Sequence, residues 1–348
     1  VTFTAYLVLT LIKQFNGQRT LYAILHLLNG KRSSQTIQDG FLFKIHHFFG
    51  VLKSLSREQI EAIYHNLDQN GWVIVNDKSM IEVTEEGKEA LNKYQNQFWI
   101  SPHLNGWYAD EGARLFWKRL SLIVQSVSHL MTHDNRFIPI VNDPAVHLWL
   151  KAFIQSYERK LLASDLFSEL QALCQGLDER EAILLVYKLS GKGRSGLTIK
   201  QLADVLNYDE TEVQINFQAT LHHVMDDLRE KAHQFPLLGQ LVIVIDRKPL
   251  TVSTYKTFLL LKQGKSIGDI VKERHLKLST IQDHIVEIAF LDPLFPVSQF
   301  VPKKMYEVIR AVLKQGKVRR LAEIKKQLSD DIDYFHIRLV LAREKGGD

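Results

Sequence analysis

With 348 residues, 45% of them hydrophobic and 24% charged, the chain can bury two or three ordinary cores and is too apolar to be disordered. Its net charge of +5 favours an anionic partner, and the surplus sits at one end: residues 251–348 hold 18 Lys and Arg against 12 Asp and Glu, residues 1–100 hold 10 against 9, and residues 101–250 hold 16 against 18. The single cysteine, Cys174, excludes an internal disulfide and a cysteine-built zinc site, which fits a cytoplasmic, nucleoid-associated protein.

The opening run AYLVLTLI reaches Lys13 too soon to span a bilayer and lacks the basic start and cleavage site of a secretory signal, so it reads as a core helix with no membrane role. Asn16 and Gly17 break it near Phe15. Thr20 begins LYAILHLLNG, which Gly30 ends, and Ser33 or Ser34 caps the next helix. FLFKIHHFFG ends at Gly50. In SREQIEAIYHNLDQNG, Ser56 is the cap, Ile60, Ile63, Tyr64 and Leu67 form the inner face, and Gly71 is the stop. WVIVN and MIEVT alternate as two strands around an Asp77-Lys78 turn, and EEGKEALNKY returns to helix. Helices leading into a two-stranded hairpin predict a winged helix over residues 1–100.

This block resembles the winged-helix RQC module of RecQ-type helicases in Gly30, Lys31, Ser33, Ser34 and Gln35, in the loop at Gly50 and in the ending V-T-E-E-G-K-E-A-L. The resemblance implies contact with duplex phosphates through Lys31, Arg32, Ser33, Ser34 and Gln35, with Arg19 a lesser contributor. The plain alternative is a solvated helix start. That module's zinc-binding neighbour is missing from this sequence.

Residues 101–250 form an expected helical middle. SPHLNGWY, with Pro102, Asn105 and Gly106, reads as a linker, and three helices follow, the second and third after the Pro139 to Pro144 turn. Trp117, Leu120, Leu148 and Phe153 are spaced as core residues. The next stretch, LDEREAILLVYKLSGKGRSGLTIKQLADVLNYDETEVQINFQATLHHVMDDLRE, resembles region 4 of bacterial sigma factors, with Leu197–Leu206 as first helix and Asp209–Leu228 as reading helix. Asp209, Glu210 and Glu212 would face phosphates there, which favours a structural or protein-binding role.

The tail, residues 251–348, is a predicted helix-turn-helix domain. Ser253 or Thr254 caps its first helix, Ser266 its second and Ser279 its third, while Ile267, Ile270, Val271, Ile281, Ile285 and Ile288 share a core. Three more helical runs follow. The opening S-T-Y-K-T-F-L-L-L-K-Q-G-K-S-I, the run L-S-T-I-Q-D-H-I and the closing Y-F-H-I-R-L-V-L-A resemble the helix-turn-helix region at the C-terminus of many bacterial RecQ-type helicases. As a whole the chain resembles the YpbB family, stand-alone proteins typically encoded beside such a helicase. Lys262, Lys265, Lys272, Arg274 and Lys277 bracket the turn as phosphate contacts, with Ser279 at the helix start. Thr280, Gln282 and Asp283 are the base-edge candidates, Asp283 predicting weak sequence reading. Lys314, Lys317, Arg319 and Arg320 form a second basic cluster. A solvated charged face is the alternative for both clusters.

Catalytic chemistry finds no support. Gly264-Lys265-Ser266 ends like a phosphate-binding loop, but Leu259 stands where that motif needs glycine. Gly191, Gly193 and Gly196, with Lys192 and Arg194, read as a turn, a phosphate contact being the alternative. The adjacent pairs His46-His47 and His222-His223 point about 100° apart on a helix, so no metal site is expected. The sequence therefore predicts a mainly α, non-enzymatic DNA-binding protein without cofactor: a winged helix, a sigma-like helical middle and a C-terminal helix-turn-helix. The resemblance adds a RecQ-type helicase as partner, in DNA repair or recombination. A helix-turn-helix transcription regulator is the alternative.

Overall fold

The computed structural model describes residues 1–76, 80–134, 136–242, 250–314 and 321–345. In chain order, α1 spans Phe3–Phe15, α2 Leu21–Leu28, α3 Ser34–Leu42 and α4 Arg57–Gln69; the strands β1, Val73–Val75, and β2, Ile81–Val83, precede α5, Glu85–Tyr94. The middle supplies α6, Gly106–Leu130, α7, Pro144–Gln155, α8, Arg159–Gly176, α9, Glu179–Tyr187, α10, Ile199–Leu206, and α11, Glu210–Glu230. The tail supplies α12, Val252–Lys262, α13, Ile267–Arg274, α14, Leu278–Leu291, α15, Lys303–Lys314, α16, Leu321–Lys325, and α17, Tyr334–Lys345. The protein is mainly α, and β1–β2 is the only sheet among the described residues.

Local sequence explains most helix starts. Ser33 Oγ accepts from Thr36 N–H, and reciprocal capping boxes join Ser56 to Gln59, Thr198 to Gln201 and Ser266 to Asp269. Gly30 and Gly50 both have positive φ and lie against each other: a Cβ on Gly30 would fall 2.9 Å from the Gly50 Cα. The hairpin is antiparallel with Val73 opposite Val83 and Val75 opposite Ile81. Its expected Asp77-Lys78 turn lies outside the described residues.

The chain divides into two compact units, one of Val1–Tyr6 and Asn92–Ile245, the other of Leu7–Leu91 and Asp246–Asp348. In the first, Phe116, Leu120 and Ile123 of α6 share a core with Val213, Phe217, Val224 and Met225 of α11. The expected linker is anchored here. Ser101 is buried, its N–H donating to Asn216 Oδ1 at 2.8 Å and its Oγ to Glu181 Oε1 at 3.0 Å, and α6 already begins at Gly106. Leu120 and Phe153 are core residues and Trp117 packs on them, but Leu148 is 73% exposed. It occupies the outer face of α7, whose inner face is made by Val146, Leu150 and Phe153.

In the second unit α14 is central, packed by α12, α13, α17 and α3. Ile270, Ile281, Ile285 and Ile288 are fully buried, as their spacing predicts; Ile267 and Val271 are half-buried. Phe41 of α3 stacks on Phe290 of α14 with ring centroids 5.5 Å apart. Helices from both ends of the sequence thus share one compact unit. No described helix is long and apolar enough to cross a membrane.

Candidate nucleic-acid interface

The geometry at the tail starts from a buried carboxylate. Glu287 of α14 accepts from Thr251 N–H at 2.7 Å and from Thr254 Oγ1 at 2.7 Å. Thr251, rather than Ser253 or Thr254, is therefore the α12 cap, its Oγ1 accepting from Thr254 N–H at 3.2 Å. The expected cap shifts because its determinant lies 36 residues downstream. Ser266 caps α13 as predicted, and His275, with φ +50°, turns the chain out of that helix. The third helix starts two residues earlier than its sequence suggests: Lys277 rather than Ser279 holds the N-cap position, Leu278 is the first helical residue and Ser279 the second.

That small difference matters chemically. The Lys277 side chain makes no capping hydrogen bond, so the leading N–H groups of α14 receive no acceptor from their cap. Lys272, Lys277 and Ser279 are exposed around this end, and Thr280 and Gln282 are half-exposed. From His284 to Leu291, by contrast, α14 is buried throughout. An open N-terminal turn on a buried helix suits an anionic partner.

Two expected contacts point elsewhere. Arg274 donates to Ser253 O at 2.6 Å, to Ser253 Oγ at 3.1 Å and to Thr257 Oγ1 at 2.6 Å, so it ties α13 to α12 rather than projecting as a phosphate ligand. Burial also lowers the pKa of its guanidinium. Asp283 is paired with Arg338 of α17 at 2.6 Å, which directs it into the unit instead of towards base edges. Lys265 pairs with Glu273, and Lys262 lies over the Phe258 ring. His284, buried against Thr257 Oγ1, is pushed down to about 4, chiefly by desolvation and then by Arg274, with Asp283 opposing. Burial raises the pKa of Glu287 against its hydrogen-bond donors.

At the other end of the sequence, Ser33 is spent as the α3 cap and Ser34 begins the helix half-buried. Gln35 is exposed and donates to Asp39 Oδ1 at 2.9 Å. Lys31 is exposed, its Nζ 3.3 Å from His26 Nε2, and Arg32 is exposed with a favourable electrostatic effect on Glu287. Arg19 is not a surface contact: it grips the buried Asp39 with two nitrogens and covers the Phe43 ring. Arg32 and Arg274 therefore act on the same element, one through Glu287, which fixes the α12 cap, the other through Ser253 in the first turn of α12. Both candidate clusters thus belong to one compact unit, in which α3 packs on α14.

The sigma-like block is built differently from a reader. Asp209 accepts from Thr211 N–H at 2.8 Å and from Phe3 N–H at 3.1 Å, and buried Glu212 accepts from Trp99 N–H at 2.9 Å. Most of α11 is core, including Glu212 in its first turn, in contrast to the exposed start of α14. The glycine loop is a tight turn in which Gly191 and Arg194 exchange backbone hydrogen bonds, Lys192 pairs with Asp134 and Arg194 covers the Tyr187 ring. Of the second basic cluster, Lys314 ends α15, while Lys317, Arg319 and Arg320 lie outside the described residues.

Comparison with known proteins agrees with both ends of the chain. The family model of the RQC domain matches residues 1–101, and that of a helix-turn-helix domain matches residues 253–341. Protein YpbB of Bacillus subtilis (strain 168) is 33% identical over 342 residues, covering 97% of this chain and 96% of that protein. No solved structure matches.

Proposed function

The chain belongs to the YpbB family, and from that premise we propose that it is a non-enzymatic DNA-binding protein that assists a RecQ-type helicase in DNA repair or recombination. The observation that carries the reading is that its RQC-like and helix-turn-helix parts share one compact unit, in which Lys31, Arg32, Lys272 and Lys277 are exposed. Lysine and arginine there neutralise phosphates and release counterions, while the open α14 N-terminus adds backbone donors. Ser279, Thr280 and Gln282 line that helix start, and Ser33, Ser34 and Gln35 open α3. Arg274 supports the surface from behind.

Partnership with the helicase is inferred from where such modules occur. In the helicases this chain resembles, such modules accompany a motor, and on that resemblance a RecQ-type helicase is the partner we propose. The transcription-regulator alternative draws on the sigma-like block and on the tail helix-turn-helix, and the burial of most of α11 weakens the first of these.

The test uses the purified full chain with linear and forked duplexes, and a pull-down with a RecQ-type helicase. Binding that weakens steeply with salt, shows little sequence preference and accompanies capture of the helicase is expected. A preference on the order of 10³ for one operator would favour a regulator instead. Neither DNA binding at low salt nor capture of the helicase would overturn the proposal.

A further inference from the structure

Three residues far apart in sequence converge in the unit that contains α6–α11. His103 is exposed on the segment before α6, Glu181 is buried on α9, and His223 is half-buried on α11. One ligand atom from each lies within 4.8 Å of the other two. His223 Nδ1 is 2.7 Å from Glu181 Oε2, while the other carboxylate oxygen accepts from Ser101 Oγ at 3.0 Å. The His103 ring lies parallel to that of His223, centroids 3.6 Å apart.

We propose that His103, Glu181 and His223 form a site for one divalent transition cation of the zinc type. Two imidazoles and a carboxylate are the borderline donor set that zinc takes, leaving a fourth position for water. The cation displaces the proton between His223 Nδ1 and Glu181 Oε2. Tetrahedral metal–ligand bonds of about 2.0–2.2 Å set those two atoms roughly 3.4 Å apart, so the 2.7 Å pair opens by about 0.7 Å. His103, on the exposed segment, rotates out of the stack to offer a ring nitrogen. Ser101 holds the outer carboxylate oxygen, the kind of supporting hydrogen bond that orients a ligating carboxylate. Occupancy would clip the 101–105 segment to α9 and α11, adding to the bonds from Ser101 N–H to Asn216 and from Asn105 N–H to His222 Nδ1.

Sequence spacing hides this arrangement. Histidines 120 positions apart match no chelating motif, and the conspicuous His222-His223 pair diverges, His222 turning to the Asn105 backbone.

The full chain, freed of metal, is titrated with Zn²⁺ by calorimetry and with Co²⁺ by visible absorption. One equivalent per chain, the strong d–d bands of tetrahedral cobalt and proton release on binding are expected, with no comparable response to Mg²⁺. His103→Ala, an exposed change, should weaken Zn²⁺ binding at least about tenfold, the smallest loss common even for a supporting partner of a ligand. His133→Ala, at an exposed histidine outside the triad, should leave it unaltered. Absence of one-equivalent binding, or wild-type affinity in folded His103→Ala, would overturn the site.

Discussion

His284 and Arg274 show how individual residues hold the proposed DNA-facing surface in place. The folded pKa of His284, depressed from 6.5 to about 4, means that its neutral form is the one the fold accepts. The corresponding stability is fully present above pH 6.5 and is lost as pH falls towards 4, on the order of 3 kcal/mol in all. Denaturant unfolding followed across that range should show the loss, and His284→Gln should flatten it. Glu287 has the opposite sign: its raised pKa gives stability at low pH that fades as pH rises through the raised value, so it does not produce the acid loss. Arg274→Ala leaves buried Thr257 Oγ1 and the Ser253 carbonyl short of a donor, and should cost about 2 kcal/mol of stability. Sequence alone could mark Arg274 as basic and near the turn. The direction of its side chain depends on Ser253 and Thr257, one helix earlier.

Among elements, α11 and α14 separate two helices of similar pattern. Both follow a capped short helix, and both look like the second helix of a helix-turn-helix. In α14 only the C-terminal part is buried throughout, leaving a first turn that presents Lys277 and Ser279; in α11 burial runs from Glu212 to Leu228 and the leading carboxylates cap backbone. Asn216→Ala should accordingly destabilise the protein by about 2–3 kcal/mol, since it removes partners of Ser101 N–H and the Trp99 carbonyl, while DNA affinity of the folded protein stays unchanged. Thermal melts and filter binding on the same preparation check both halves. Helix existence was legible because Ser56, Ser266 and the glycines at 30, 50 and 71 act over a few residues. The Thr251 cap and the exposed Leu148 were not, because each depends on which face a neighbour from elsewhere in the chain occupies.

For the whole molecule, the chain ends are one folding problem. The Phe41–Phe290 stack and the packing of α3 on α14 and α17 bury surfaces of both modules against each other. Truncation after residue 242 should therefore expose the α3 face and lower the stability of the remaining 7–91 helices, seen as earlier proteolysis and dye binding by exposed apolar surface. Composition and motif order gave a basic tail and two resembled modules, but not their union, because the pairing of α3 with α14 joins residues about 250 positions apart. The central claim is that the exposed cations of this unit hold DNA phosphates, and it is met most directly by the salt dependence of duplex binding in wild type and in Lys31→Ala/Arg32→Ala/Lys272→Ala/Lys277→Ala. Each lost phosphate contact should lower the magnitude of the log–log slope by about 0.9, so the account predicts a drop of roughly 3–4 in the quadruple variant. A folded variant that binds with the wild-type slope would contradict it.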